Sequence, residues 1–182
     1  MTDPTQPTNP AAPTPAPAGA MPANPAQDEI MKRLEMVEQR LSALGYGTAP
    51  NGVTQPDPGG TEQWNGQQVW AHMAEFVPYW QQQLATVLGQ YTGTPVPFGR
   101  TKEDAGRVGA IEAGKNVPIP NMIQQVKQAI AMTKDYLNNM TPEQWAAIGM
   151  HARRGEMAAP QIVKTFTLDH LEEHADQLEA LV

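Results

Sequence analysis

The last helix of the chain is predicted from one stretch, residues 160–181, which reads PQIVKTFTLDHLEEHADQLEAL. Its apolar residues recur three or four positions apart, as expected of one buried face on a helix. With about 100° of turn per residue, His170 and His174 fall within about 40° of each other and of Val163, on that same face. The stretch therefore predicts a long amphipathic helix that carries two histidines toward the core.

Two long helices are predicted in the first half of the chain. The first is capped by Asn24, with Gln27 able to close a capping box, and it ends at Gly45. The second begins at another capping box, in which Asn65 and Gln68 are the two partners. Each start signal is followed by apolar residues at helical spacing, so both segments are expected to bury one face.

Short and long helices alternate in the second half. Thr101 opens a short helix, and a longer one follows Pro118. Thr141 and Gln144 form a third capping box that begins another short helix. Residues 149–157 are expected to form an irregular connector before the last helix. No segment shows a sustained period of two, which favours an all-α protein.

Proline divides the chain into a tail and a folded part. Eight of the 18 prolines lie within the first 27 residues, and this part of the chain contains no aromatic residue. Residues 1–24 are therefore expected to be a disordered tail rich in polyproline II. Residues 25–182 are expected to form one domain, most simply an antiparallel four-helix bundle, with a long surface loop at 45–61.

Composition excludes several classes of function. The chain has 182 residues, a formal net charge of -7 and no basic run, so a nucleic-acid partner is not expected. It lacks both a signal-peptide pattern and an 18-residue apolar stretch, so we expect a cytoplasmic protein without membrane insertion. It contains no cysteine, and any metal must therefore be held by histidine or carboxylate side chains.

The histidines are the candidate metal ligands. A spacing of four places His170 and His174 at a separation that suits one metal ion. His72 lies on the inner face of the second helix, so the three imidazoles can converge if the two helices are neighbours. Three ligands would leave coordination positions open, as in catalytic sites. The alternative is that all three are ordinary polar residues hydrogen-bonded in the core, and His151 is expected to be a loop residue.

Two other metal motifs do not fit the spacing. Residues His170 to His174 match the inverted zincin pattern H-x-x-E-H, but only eight residues remain downstream for a third ligand. The di-iron signature of helical bundles needs a Glu three positions before a ligand histidine. No histidine of this chain has a Glu at that position.

Two segments of the chain resemble the DinB-like bundles, a superfamily that includes the maleylpyruvate isomerase and bacillithiol transferase types. The first is Trp64-Asn-Gly-Gln-Gln-Val-Trp-Ala-His72-Met-Ala-Glu75. The second comprises Thr141-Pro-Glu-Gln-Trp145, the segment from Gly149 to Glu156, and His170-Leu-Glu-Glu-His174-Ala-Asp-Gln177-Leu178. The likeness covers most of residues 26–182, and the three-histidine motif is its most specific part.

The resemblance implies a metal-dependent enzyme. It implies that His72, His170 and His174 bind a divalent metal, zinc or nickel, at one end of the bundle. Characterised members of the superfamily are thiol transferases or thiol-dependent isomerases that use mycothiol, bacillithiol or a related low-molecular-weight thiol. A metal with open positions stabilises a thiolate at neutral pH, and a chain without cysteine must take that thiol from outside.

Five further residues are candidates for the site. Glu75 and Glu173 can orient the imidazole N–H groups, or they can be solvated carboxylates on the helix surface. Tyr79 can offer its phenol to the pocket or can simply pack. Arg153 and Arg154 can hold a carboxylate of the thiol or of an acidic substrate, or they can be solvated loop residues.

The function expected from the sequence is thiol-dependent transfer or isomerisation on an electrophilic small molecule. Two alternatives remain open. One is a metal-dependent hydrolase that uses water in place of the thiol. The other is a non-catalytic binding module in which the histidines are structural and the proline-rich tail recruits a partner. A homodimer is compatible with either type of protein.

Overall fold

The computed structural model describes residues 24–46, 51–56 and 61–181, so the tail predicted at residues 1–24 lies outside them except for Asn24. The helices are α1 (Pro25–Tyr46), α2 (Gly66–Gln90), α3 (Ala105–Gly114), α4 (Ile119–Asn138), α5 (Pro142–Trp145), α6 (Ala159–Val163) and α7 (Asp169–Glu179). The strands are β1 (Val96–Phe98), β2 (Ile148–His151) and β3 (Gly155–Ala158). A π-helical turn, Lys164–Leu168, connects α6 to α7, so these three segments form one continuous last helix. Of the loop predicted at 45–61, residues 45 and 46 belong to α1, and residues 47–50 and 57–60 lie outside the described part.

The predicted capping boxes are confirmed at two helix starts. Asn65 accepts from the backbone N–H of Gln68, and the side chain of Gln68 accepts from the backbone of Asn65. The same exchange joins Thr141 and Gln144 at α5. At α1 the side chain of Gln27 instead donates to the backbone carbonyl of Leu137 on α4, because the packed α4 offers it a partner.

Four long helices form a bundle, as predicted. α1 packs against α4 and α7, and α2 packs against α4 and against the last helix. α1 and α4 are antiparallel, because Gln27 contacts Leu137 whereas Gly45 lies against Ile123. α2 is antiparallel to the last helix, because His72 faces His174 whereas Trp80 faces Phe166.

The pair formed by α1 and α7 is parallel, which the simplest antiparallel arrangement would not contain. Arg33 of α1 binds Asp169 and Glu172 of α7. One heptad later, Arg40 binds Asp176 and Glu179. The residue numbers rise together on both helices, so the helices run in the same direction. Long connections between the principal helices permit such parallel neighbours in a bundle. We call this set of ion pairs the arginine ladder.

A small sheet includes the segment that was expected to be an irregular connector. β1 pairs with β2 in parallel and β2 pairs with β3 in an antiparallel hairpin. The expectation of an irregular connector at 149–157 is therefore wrong. Strands of three or four residues are too short to show a period of two. Gly155, the first residue of β3, directly follows the three-residue connection of the hairpin and has φ +75°, a conformation that glycine adopts without steric cost.

The core of the bundle contains apolar side chains from all four long helices. Leu34 and Leu41 of α1, Ile130 of α4 and Leu171 of α7 are almost fully buried there. None of the helices in the described part of the chain has the length and apolar composition that a membrane crossing requires.

Candidate metal centre

Three of the four histidines meet at one place in the bundle. His72 lies in the second turn of α2, and His170 and His174 lie one turn apart in α7. The ring centroid of His72 is 5.2 Å from that of His170 and 5.0 Å from that of His174. One nitrogen from each ring lies within 4.8 Å of the other two. The convergence predicted from the sequence is therefore present in the structure.

The chemistry of this cluster fits a divalent metal. Zinc–nitrogen bonds are about 2.0–2.1 Å long, so two nitrogens that share one ion are at most about 4 Å apart, and the nitrogens of this cluster lie within 4.8 Å of one another. His72 and His174 are buried, and His170 is partly buried. Nδ1 of His72 is buried and has no hydrogen-bond partner among the described residues. A bound metal ion would satisfy such a nitrogen.

The electrostatics of the cluster favour the neutral form of His72 and of His170. Burial is the largest cause that lowers the pKa of His72 well below its ordinary value, and the two other histidines add to it. Burial and then the nearby His174 likewise lower the pKa of His170. Positive charge on Arg107 and Arg100 contributes to both shifts. Metal ions bind only the neutral imidazole, so this environment favours metal ligation over protonation.

A glutamine orients one of the three rings. Nδ1 of His174 lies 2.8 Å from Oε1 of Gln177, three residues further along α7. Nδ1 therefore donates its proton to Gln177 and leaves the lone pair of Nε2 for a metal. The sequence reasoning assigned no role to Gln177, although its i, i+3 spacing from His174 would have indicated the contact.

Glu75 lies near the cluster but is bound to an arginine. One of its oxygens is 4.0 Å from Nδ1 of His72, which is beyond hydrogen-bond distance. Arg100 donates to both carboxylate oxygens of Glu75, at 2.6 and 2.5 Å. The guanidinium carbon of Arg100 also lies 3.7 Å from the centroid of the Tyr79 ring. Burial raises the pKa of Tyr79, and this side chain is not among the described residues that line the cavity beside the histidines.

A cavity of about 540 Å³ opens beside the histidines. His72, His170 and His174 all line it. Its apolar wall is aromatic, formed by the rings of Trp64, Trp80 and Phe166. Its positively charged groups are Arg100, Lys102, Arg107 and Arg154, and its acidic groups are Glu62, Asp169 and Glu173. The cavity is large enough for a small organic molecule next to the histidines.

Part of the aromatic wall comes from the π-helical turn that precedes α7. This turn places Phe166 and Thr165 on the cavity. The Phe166 ring stacks on Trp80, with centroids 4.2 Å apart. Phe76 stacks on His170 at the same distance. π-helical turns are uncommon and occur frequently at functional sites. The sequence pattern did not indicate one, because its apolar residues fit an ordinary α-helix.

The remaining candidates from the sequence are divided between the cavity and the rest of the surface. Glu173 is exposed and lies at the cavity wall. Arg154 is exposed, lines the cavity and sits 5.6 Å above the Phe166 ring. Arg153 is exposed and is not among the described lining residues. His151 is buried in β2 against Phe166, so the expectation of an ordinary loop residue is wrong.

Besides Gln177, sequence reasoning missed two residues that contact the cluster or its surroundings. Trp64 packs its indole against His72 and His174, at 4.8 and 5.9 Å between centroids. Arg107 projects from the first turns of α3 toward the same indole, at 5.1 Å. The capping box beside Trp64 indicated only a helix start. Arg107 belongs to a short helix whose position depends on tertiary packing.

Comparisons with known proteins agree on the fold. No family model matches the sequence, and no curated protein matches it. Among solved structures, YfiT from Bacillus subtilis, a probable metal-dependent hydrolase with an unusual four-helix bundle topology, has a TM-score of 0.67 and 16% identity. The match covers 91% of this chain and 90% of YfiT.

Two further structures are similar. The mycothiol-dependent maleylpyruvate isomerase has a TM-score of 0.62 and 12% identity, over 84% of this chain and 60% of the isomerase. An uncharacterized protein from Clostridium difficile 630 has a TM-score of 0.53 and 7% identity, over 87% of this chain and 96% of the other. At these identities the likeness establishes the fold, and the resemblance to DinB-like bundles is supported at that level. The chain thus has the four-helix bundle fold of YfiT and of the maleylpyruvate isomerase.

Proposed function

We propose that the protein binds one divalent metal ion through His72, His170 and His174 and uses it to activate a small-molecule thiol for transfer to, or isomerisation of, an electrophilic substrate. The observation that carries the proposal is the convergence of three imidazoles on the wall of an open cavity. Three protein ligands are typical of catalytic sites, because they leave room for a further ligand. A closed structural site would use four.

The chain's own residues have three tasks in this proposal. The histidines hold the ion, and Gln177 fixes the ring of His174. The aromatic rings of the wall exclude water, and the arginines that line the cavity supply positive charge. When bound, a divalent ion would lower the pKa of a thiol or water molecule that coordinates it.

The choice of a thiol depends on the composition of the chain. The protein contains no cysteine, so it has no sulfur nucleophile of its own. The maleylpyruvate isomerase of the same fold is mycothiol-dependent. Hydrolysis is the second candidate, because YfiT has the same fold and is a probable metal-dependent hydrolase. An open metal position accepts water as readily as a thiol.

Metal analysis tests the first part of the proposal. Protein purified without a histidine tag should contain about one divalent ion per chain, and the His170→Ala/His174→Ala variant should contain none. His151→Ala is the matched control, because His151 is buried and lies outside the cluster. Circular dichroism should show that all three proteins are folded. Equal metal content in wild type and in the double variant would reject the site.

Activity assays then separate the two chemistries. The metal-loaded protein should conjugate 1-chloro-2,4-dinitrobenzene only when a thiol is added, with mycothiol, bacillithiol, glutathione and coenzyme A tested in turn. It should not hydrolyse p-nitrophenyl esters in the absence of thiol. Metal-dependent ester hydrolysis without thiol would favour the second candidate and would reject the thiol-dependent one.

A further inference from the structure

Arg107 and Arg100 are the two largely buried arginine side chains of the cavity, and they bind different partners. Arg100 donates to both oxygens of Glu75. Arg107 donates to the backbone carbonyl of Lys102 at 2.7 Å, and its contact with a carboxylate is a longer one, 3.4 Å to Glu62. The Glu62 side chain is 52% exposed, so water screens this pair. Arg107 therefore faces the cavity with its charge only weakly compensated.

The position of Arg107 relates it to the histidine cluster. The Arg107 side chain is 11% exposed, and its guanidinium carbon lies 5.1 Å from the Trp64 ring centroid. The same indole lies 4.8 Å from the ring of His72. One aromatic ring thus contacts both the guanidinium and a candidate metal ligand. Arg107 and His72 also line the same cavity, so a small molecule bound in it can reach both groups at once.

Among the described cations that line the cavity, Arg107 combines a largely buried side chain with only a distant carboxylate partner. Asp169 is bound by Arg33 and by Lys164, so it does not compete for Arg107. Lys102 and Arg154 are exposed at the cavity wall and add positive charge. A guanidinium offers five N–H donors in a planar arrangement that matches a carboxylate, and the two contacts described above engage two of its nitrogens.

We propose that Arg107 binds a carboxylate of the thiol that ligates the metal, so that the ligand is held by sulfur at the histidines and by its carboxylate at the arginine. The inference rests on the proposed function, since it takes the thiol as the ligand of the cluster. It specifies the class of that ligand: a short thiol acid that lies along the Trp64 indole. In this binding mode the sulfur would coordinate the ion as a thiolate, with its proton released to solvent, and the carboxylate would accept hydrogen bonds from Arg107; no bond to carbon is formed or broken.

Cobalt provides the readout, because sulfur bound to Co²⁺ gives a charge-transfer absorption. The cobalt-loaded wild type is titrated with 3-mercaptopropionate and with 3-mercaptopropan-1-ol, which differ in the carboxylate. We expect the acid to bind about tenfold more tightly, as one charge-assisted hydrogen-bonded pair would give. The preference should decrease as salt is added, since part of it is electrostatic.

Three variants assign the preference to Arg107. Arg107→Gln should abolish it while leaving the affinity for the alcohol unchanged, and Arg107→Lys should retain part of it. Glu62→Gln should strengthen binding of the acid alone, because it removes a competing carboxylate. Lys32→Gln is the control, since Lys32 is an exposed cation on α1 and does not line the cavity.

The outcomes separate this inference from the proposed function. If the wild type binds neither cobalt nor zinc, the proposed function and this inference both fail. If cobalt binds and the two thiols bind equally, the carboxylate site alone is rejected. If the preference for the acid persists in Arg107→Gln, it comes from chelation of the metal by the acid. If Arg107→Gln weakens the binding of both thiols equally, Arg107 only forms part of the cavity wall. Either result rejects the inference.

Discussion

Arginines are used in two different ways on the two sides of α7. On the α1 side, the arginine ladder pairs each guanidinium with two carboxylates one turn apart. Hydrogen bonding to Glu172 is the largest cause that raises the pKa of Arg33 above its ordinary value, and the hydrogen bond to Glu179 does the same for Arg40. On the cavity side, Arg107 has a carbonyl and one distant carboxylate.

This difference in partners distinguishes arginines that stabilise the fold from an arginine that is available to bind a ligand. The ladder's acceptors are all supplied by the fold, so its arginines have strong partners before any ligand binds. The cavity contains two groups without a strong partner. One is the weakly compensated guanidinium of Arg107, and the other is a buried imidazole nitrogen of His72, which has no hydrogen-bond partner among the described residues. We therefore expect ladder variants to affect stability and cavity variants to affect binding. Each of the following predictions tests one side of this division.

The largest effect is expected at His72. The His72→Leu variant should weaken Co²⁺ binding by at least about 100-fold, more than the loss of a group that merely supports a ligand. The metal-free variant should be as stable as metal-free wild type, or more stable by up to about 1 kcal/mol, because a buried nitrogen with no partner in the described part of the chain is replaced by an apolar group of similar size. Isothermal titration and urea unfolding measure the two effects. A loss of more than about 2 kcal/mol in the metal-free variant would show that His72 supports the core.

A smaller effect is expected where α3, which carries Arg107, approaches α2. A Cβ atom on Gly114 would lie 2.2 Å from Cβ of Ala71, so Gly114→Ala must displace one helix. We expect a loss of about 1–3 kcal/mol in the free energy of unfolding and a weaker preference for the thiol acid.

Gly109→Ala is the matched control on the same helix. No atom of the described residues lies within 4 Å of a Cβ at Gly109, so alanine should stabilise the helix by about 0.5–1 kcal/mol. If the two variants have equal urea midpoints, the close approach at Gly114 does not constrain the position of α3.

The sequence was sufficient for those features that one helix contains by itself. The capping boxes at Asn65 and Thr141 are local, and the spacing of His170 and His174 follows from helix geometry. The convergence of His72 with that pair needed only that two amphipathic faces meet in one core. Periodicity shows which face of a helix is buried, and three inward histidines therefore pointed to one site.

Features that depend on which helices are neighbours could not be predicted in this way. The parallel direction of α1 and α7 is set by the connections between the helices. The sequence does contain a matching spacing, because Arg33 and Arg40 are seven residues apart, as are Asp169 and Asp176. The place of Arg107 depends on the contact of α3 with α2, and a short helix has too few apolar residues to indicate its orientation. The strands and the π-helical turn are shorter than the window in which a period can be recognised.

The smallest effect is expected from the ladder. Arg33→Met together with Arg40→Met should lower the free energy of unfolding by about 1–2 kcal/mol in low salt, because both arginines are partly exposed and such pairs contribute little individually. The difference from wild type should decrease in 0.5 M salt, where exposed charges are screened. Cobalt affinity should change by less than about threefold, since the core contacts of Leu171 and Leu178 still hold α7 in place. Urea unfolding at two salt concentrations and metal titration check these expectations. A metal affinity that decreases in parallel with stability would mean that the ladder also positions the histidines, and the division between the two sides of α7 would not hold.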